Sequence, residues 1–136
     1  MVPYQTKTDK LAGSNFQEVY KKALSVYKPI KQRTKRQTYI RSVYFKKEKI
    51  FLNIFWNHLF DKSWGERTKR LQYFACAIDL IKNSRNQPTS KENPNKSGEI
   101  LHRFAGLTKQ KELFFVQIKE NKKSGNKYLM SVFPGD

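Results

Sequence analysis

The chain has 136 residues and carries 28 Lys and Arg against 11 Asp and Glu, a net charge of +17. Such an excess in one domain-sized chain costs self-repulsion and points to a polyanionic partner, while 38% hydrophobic and 14% aromatic residues exclude a disordered basic tail. No apolar run approaches a transmembrane span, residues 1 to 10 lack the apolar region of a secretory signal, and the lone Cys76 excludes an internal disulfide framework and suits a reducing, cytoplasmic compartment.

In chain order, Ser14 and Asn15 followed by Phe16, Val19, Tyr20, Ala23, Leu24 and Tyr27, with Glu18 in the first turn, predict a capped amphipathic helix that Pro29 ends. Residues 28 to 49 then hold nine cations, Lys28, Lys31, Arg33, Lys35, Arg36, Arg41, Lys46, Lys47 and Lys49, against Glu48. Tyr27, Tyr39, Tyr44 and Phe45 are interleaved with them. That mixture suits nucleic acid, with phosphates meeting the charges and bases the rings; a membrane surface would call for a helix with separate basic and apolar faces. Lys31, Arg33, Lys35, Arg36, Arg41, Lys46, Lys47, Tyr39 and Tyr44 are the expected nucleic-acid contacts, and the stretch reads as the substrate grip.

Alternation over Tyr39 to Phe45 predicts a strand, followed by a charged turn at 46 to 49 and then, over Ile50 to Phe55, a second short strand or the entry to a helix. Leu71, Phe74, Ala75, Ile78 and Ile81 follow helical spacing and predict one core helix over 66 to 82. Residues 83 to 98 contain no large apolar side chain and read as a long loop. Three strands follow, Glu99 to Leu107, Glu112 to Glu120 and Lys127 to Phe133, joined by hairpin loops at 108 to 111 and 121 to 126. The expected fold is α+β and one domain over 1–136: a basic N-terminal helical segment (1–37) and an α+β core (38–136), with helices packed on a C-terminal antiparallel meander.

Period-two alternation sorts the meander into an apolar face and a face offering Gln117, Lys119 and Ser131. The first strand adds to that second face either His102 or Arg103, whichever its register turns outward. A histidine, cations and a hydroxyl on an open sheet are the groups that RNA cleavage without a metal requires. The 2′-hydroxyl must lose a proton, the leaving oxygen must gain one, and fixed cations must meet the extra charge on the phosphorane. Competing chemistries find less support in the sequence. One Cys and two His at 58, 76 and 102 have no zinc-site spacing, the aspartates are scattered rather than clustered for a two-metal nuclease, and no Gly-rich phosphate loop is present. His58, in Phe55-Trp56-Asn57-His58-Leu59-Phe60, reads as a satisfied, semi-buried residue, and Trp56 and Trp64 read as core, either being able instead to stack a base.

The order of helix, long loop and meander, with His102-Arg103 in its first strand, Val-Gln-Ile-Lys (116 to 119) in its second and Tyr-Leu-Met-Ser-Val-Phe-Pro (128 to 134) in its third, resembles the barnase, EndoU, colicin and RelE-like nuclease superfamily. The resemblance covers roughly residues 60 to 136. It implies a small basic endoribonuclease of toxin type that works without metal or other cofactor. His102 would be the general base or acid, Arg103 and Lys119 the phosphate contacts, and Ser131 the hydroxyl that positions the scissile phosphate. It also implies RNA as substrate, tRNA and mRNA both being open, an acidic inhibitor or antitoxin protein as partner, no membrane partner, and cytoplasmic action, including after delivery into a target cell. The alternative is a basic RNA- or DNA-binding protein without catalysis, in which His102 and Ser131 are incidental.

Overall fold

The computed structural model describes residues 2–135. Strand β1 (Tyr4–Gln5) is followed by helix α1 (Phe16–Arg33). Asn15 caps this helix by accepting from the Glu18 N–H, and the Glu18 carboxylate reaches back to the Ser14 hydroxyl, 3.0 Å away. Contrary to the sequence expectation, α1 runs through Pro29 to Arg33. Pro29 forfeits one helical hydrogen bond, but the next residue, Ile30, is buried in the core and holds the last turn in place.

Strands β2 (Tyr39–Ser42) and β3 (Glu48–Phe51) pair antiparallel across a turn in which Lys46 and Lys47 adopt φ of 57° and 66°. The segment after them is both a strand and a helix entry, since β3 leads at once into α2 (Asn53–Leu59). The helix expected over 66 to 82 is two helices, α3 (Trp64–Gln72) and α4 (Phe74–Asn83), broken at Tyr73, whose ring stacks on Phe114 with centroids 5.6 Å apart. Leu71, Phe74, Ala77 and Ile78 are buried on both sides of the break, so the hydrophobic period passes through it undisturbed. Cys76 is buried in α4; burial pushes its thiol pKa up to about 12, and the S–H donates to the Thr8 carbonyl.

The expected long loop contains an edge strand, β4 (Thr89–Glu92), antiparallel to β5 (Glu99–Leu107). All four β4 residues are exposed. The strand is held by backbone pairing and polar side-chain contacts such as Ser90 to His102, which a hydrophobic pattern does not register. Strands β6 (Leu113–Asn121) and β7 (Lys127–Pro134) complete the meander. The sheet runs β1-β5-β6-β7-β3-β2, with β4 also on β5. Because β1 pairs parallel with β5 and β3 parallel with β7, the sheet is mixed, and three of the helices are inserted between β3 and β4 rather than preceding the strands. The fold is α+β, but a wider sheet than a C-terminal meander.

The helices cover one face. Phe74, Leu71 and Leu80 meet Ile50, Phe114, Val116, Ile118, Leu129 and Val132 in a single buried cluster. Gly106 fits between them only because it lacks a side chain: a Cβ there would lie 2.5 Å from Phe114 and 2.7 Å from Leu80. No helix among the described residues is long and apolar enough to cross a membrane.

Candidate nucleic-acid interface

Cross-strand partners project to the same side of a sheet, so the register defines the uncovered face. Tyr39 pairs with Phe51, Phe51 with Tyr128, Tyr128 with Lys119, Ser131 with Gln117, Gln117 with Arg103, and Phe133 with Phe115. These residues form three rungs of one face that together span five strands, about 19 Å wide at ~4.8 Å per strand. A bulge in β7 brings the rungs to the same face. Between the pairs Gln117–Ser131 and Ile118–Leu129, Met130 is an extra residue, so Leu129 turns into the core while Tyr128 joins Ser131 and Phe133 outside. Simple alternation would have put Tyr128 opposite Ser131.

Cations lie on the rings of this face. Lys49 sits 4.6 Å and Arg41 5.6 Å from the Tyr39 centroid, and Lys119 sits 5.5 Å from that of Tyr128. Arg103 and Arg70 approach the same ring, Phe133, at 5.2 and 5.8 Å. Arg103 donates to the Gln117 side-chain oxygen at 3.2 Å. Arg70 comes from α3, which lies beside the half of β7 that β3 leaves unpaired, and donates to the Ser131 hydroxyl at 2.7 Å. Neither guanidinium has a carboxylate partner among the described residues. The carboxylate that shares the face is Glu99, 3.5 Å from Lys119. Burial alone would raise the Glu99 pKa, but the Asn93 hydrogen bond together with Lys119 and Lys96 holds it below the usual range.

Thus Arg103, Lys119 and Ser131 share the open face, and His102 does not. Its register partners are Ile118 and Ser90, which put it on the helix-covered side. Its Nε2 meets the Glu120 carboxylate at 2.7 Å and its Nδ1 the Ser90 hydroxyl at 2.7 Å. The Phe45 ring packs on it edge-on at 5.1 Å, leaving it 9% exposed. Both ring nitrogens are occupied, so His102 ties β4, β5 and β6 together and does not reach the groups with which catalysis was expected. Lys127 lies beside it on this side, buried and paired with Glu48 at 2.9 Å.

The basic stretch divides as well. Arg33, Lys35, Arg36 and Tyr39 line a groove of about 510 Å³ with Lys49 and Phe51, at the β2 edge of the open face. Arg41 lies on that face. Lys31 instead lines a cleft between α1 and α2 with Tyr27 and Trp56. Lys46 and Lys47 stand exposed in the turn, and Tyr44 packs on Phe45 and Phe104 at the covered side. Two sequence expectations fail here: Trp64 is exposed under the Arg67 guanidinium rather than in the core, and His58 is exposed rather than semi-buried. Arg70 carries no sequence signal beyond being a helix cation. Trp56 is core as expected.

Compared with family models, with curated proteins and with solved structures, the chain gives no match.

Proposed function

We propose that this protein is a metal-independent endoribonuclease that seats single-stranded RNA on its open sheet face and cleaves it by 2′-hydroxyl transesterification. The observation that carries the proposal is the pair Arg70 and Arg103, two guanidiniums without a carboxylate partner among the described residues, held over one ring beside the Ser131 hydroxyl and the Gln117 amide. Folding brings these like charges together at a cost, and an anion between them turns that cost into binding. In the transition state of transesterification the phosphorane carries more charge than the ground-state diester, so the same two cations favour it differentially. Tyr39, Phe51, Tyr128, Phe115 and Phe133 offer π-faces to unpaired bases, and the Arg33–Arg36 groove extends the phosphate track.

Acidic inhibitor binding at this face, toxin-type action and cytoplasmic location are part of the same proposal, as is the general resemblance to small basic ribonucleases. The second reading, RNA binding without cleavage, is favoured by the position of His102 on the other side of the sheet. Incubating the protein with total RNA in excess EDTA separates the two. Cleavage that survives EDTA and leaves 2′,3′-cyclic phosphate and 5′-hydroxyl ends supports the first; RNA bound but intact leaves only the second.

A further inference from the structure

His102 leaves the seat without a proton-transfer group, and a small cleft beside Ser131 supplies another. We infer that His58, held by Asp61, is the general base of the open-face site, an inference that rests on the ribonuclease reading above. His58, Lys62, Arg70, Met130 and Ser131 line a single cleft of about 20 Å³ with Phe55 and Leu59. That volume holds about one oxygen-sized group. The cleft lies where α2 and α3 flank the unpaired half of β7, so it adjoins the guanidinium pair over Phe133.

The local chain geometry prepares the imidazole. His58 lies in the last turn of α2, and its carbonyl accepts from the Asp61 N–H at 3.1 Å. That turn brings the Asp61 carboxylate to 3.5 Å from Nδ1. A carboxylate at Nδ1 favours the tautomer with its proton there and leaves the Nε2 lone pair to act as base. The His58 side chain is 62% exposed, so substrate reaches it, in contrast to His102, whose nitrogens are both engaged.

The step balances without a co-reactant. Nε2 of His58 takes the 2′-hydroxyl proton, the 2′-oxygen forms a bond to phosphorus, and the bond from phosphorus to the 5′-oxygen breaks. The leaving oxygen takes a proton from solvent, and the imidazolium returns its proton to solvent afterwards. Arg70 and Arg103 meet the phosphorane charge, and Asp61 is a positioning residue.

The test uses His58→Gln, an exposed change that leaves the core alone. It is expected to lower the rate of EDTA-resistant RNA cleavage by about 100-fold or more while RNA affinity stays within about threefold. Asp61→Asn should lower kcat about tenfold while KM stays within about threefold, the split expected of a residue that positions the base rather than one that holds the fold. A cleavage-independent readout is available because the chain has only two histidines. Titration with a mixture of 3′-nucleoside monophosphates should move the His58 Cε1–H resonance and leave that of His102 in place. If His58→Gln cuts at the wild-type rate while Arg70→Gln and Arg103→Gln are slow, His58 is not the base and the ribonuclease reading stands. A nucleotide-induced shift at His102 alone likewise overturns the assignment. If the wild-type protein cuts no RNA, the ribonuclease reading itself fails, and the role of His58 with it.

Discussion

The two sides of the sheet use the same residue types for opposite ends. On the covered side every charge is matched: His102 lies between Glu120 and Ser90, and Lys127 meets Glu48. On the open side Arg103, Arg70, Arg41 and Lys49 lie over rings with no carboxylate partner among the described residues, and of the cations on this face Lys119 meets Glu99. The desolvation cost of charge explains the first arrangement, because an unmatched ion beside the core would cost several kcal/mol. The second is tolerated because the face stays wet, and it leaves cations free for an anion from outside. Sequence neighbours fall on different sides, so His102 and Arg103, or Phe114 and Phe115, differ less in chemistry than in the face that the β5–β6 register assigns them.

The largest effect is expected from the phenylalanine pair. Phe114 is fully buried against Tyr73 and next to Gly106, so Phe114→Ala should cost about 3–5 kcal/mol in chemical unfolding. Phe115→Ala, one residue away on the open face, should cost under about 1 kcal/mol in stability yet lose roughly 1–3 kcal/mol of single-stranded RNA affinity through the missing stack. Equal stability losses would mean that the open face is packed against something in solution. Next comes His102→Ala, which strands the Glu120 carboxylate and the Ser90 hydroxyl. It should destabilise by about 2–4 kcal/mol and leave RNA affinity unchanged at a temperature where the variant is folded. Arg103→Gln should do the reverse, weakening RNA binding about tenfold with little change in melting temperature. An affinity loss in His102→Ala comparable to that of Arg103→Gln would break the division of labour between the faces.

Much of this division was legible in the sequence, and the missing parts have identifiable physical causes. Period-two alternation over 99 to 107 and 113 to 121 fixes which residues of each strand share a side, but not which of His102 and Arg103 faces Gln117; that needs the register, which backbone hydrogen bonds set. The bulge at Met130 breaks the alternation that put Tyr128 with the core set, and no glycine or proline marks it. Strand β4 is exposed throughout and β1 is two residues long, so neither leaves a hydrophobic pattern to read. Arg70 reaches Ser131 across 61 positions; nothing local distinguishes it from Lys69, which precedes it on the same helix. The basic stretch 28 to 49 was visible as a charge density, whereas its split between the groove and the turn depends on how the β2–β3 hairpin folds.

A third effect is smaller and specific to the open face. If Arg70 and Arg103 each neutralise a phosphate, Arg70→Gln/Arg103→Gln should reduce the slope of log affinity against log salt by about 1.4 for a single strand. Replacing the buried Lys127 in the same assay should leave that slope unaltered, since its charge is turned to Glu48 on the far side.

The smallest expected effect has the opposite sign and isolates the acidic group that, among the described residues, shares the open face. With its pKa below the usual carboxylate range, Glu99 is ionised at neutral pH. Its folded pKa lies below the unfolded one, so the stability it contributes is present above about pH 4.5 and is lost as pH falls through the folded value. Glu99→Gln removes that contribution: the variant should be slightly less stable than wild type at pH 7, and the difference should close as the pH falls through the folded value. At neutral pH the same change releases Lys119 from its 3.5 Å partner and adds one unit of positive charge to the face, so RNA affinity should rise about two- to threefold at low salt, the scale of one partly exposed ion pair. A fall in affinity on losing this carboxylate would mean that RNA does not approach through Lys119, and the binding row would then have to end at Gln117.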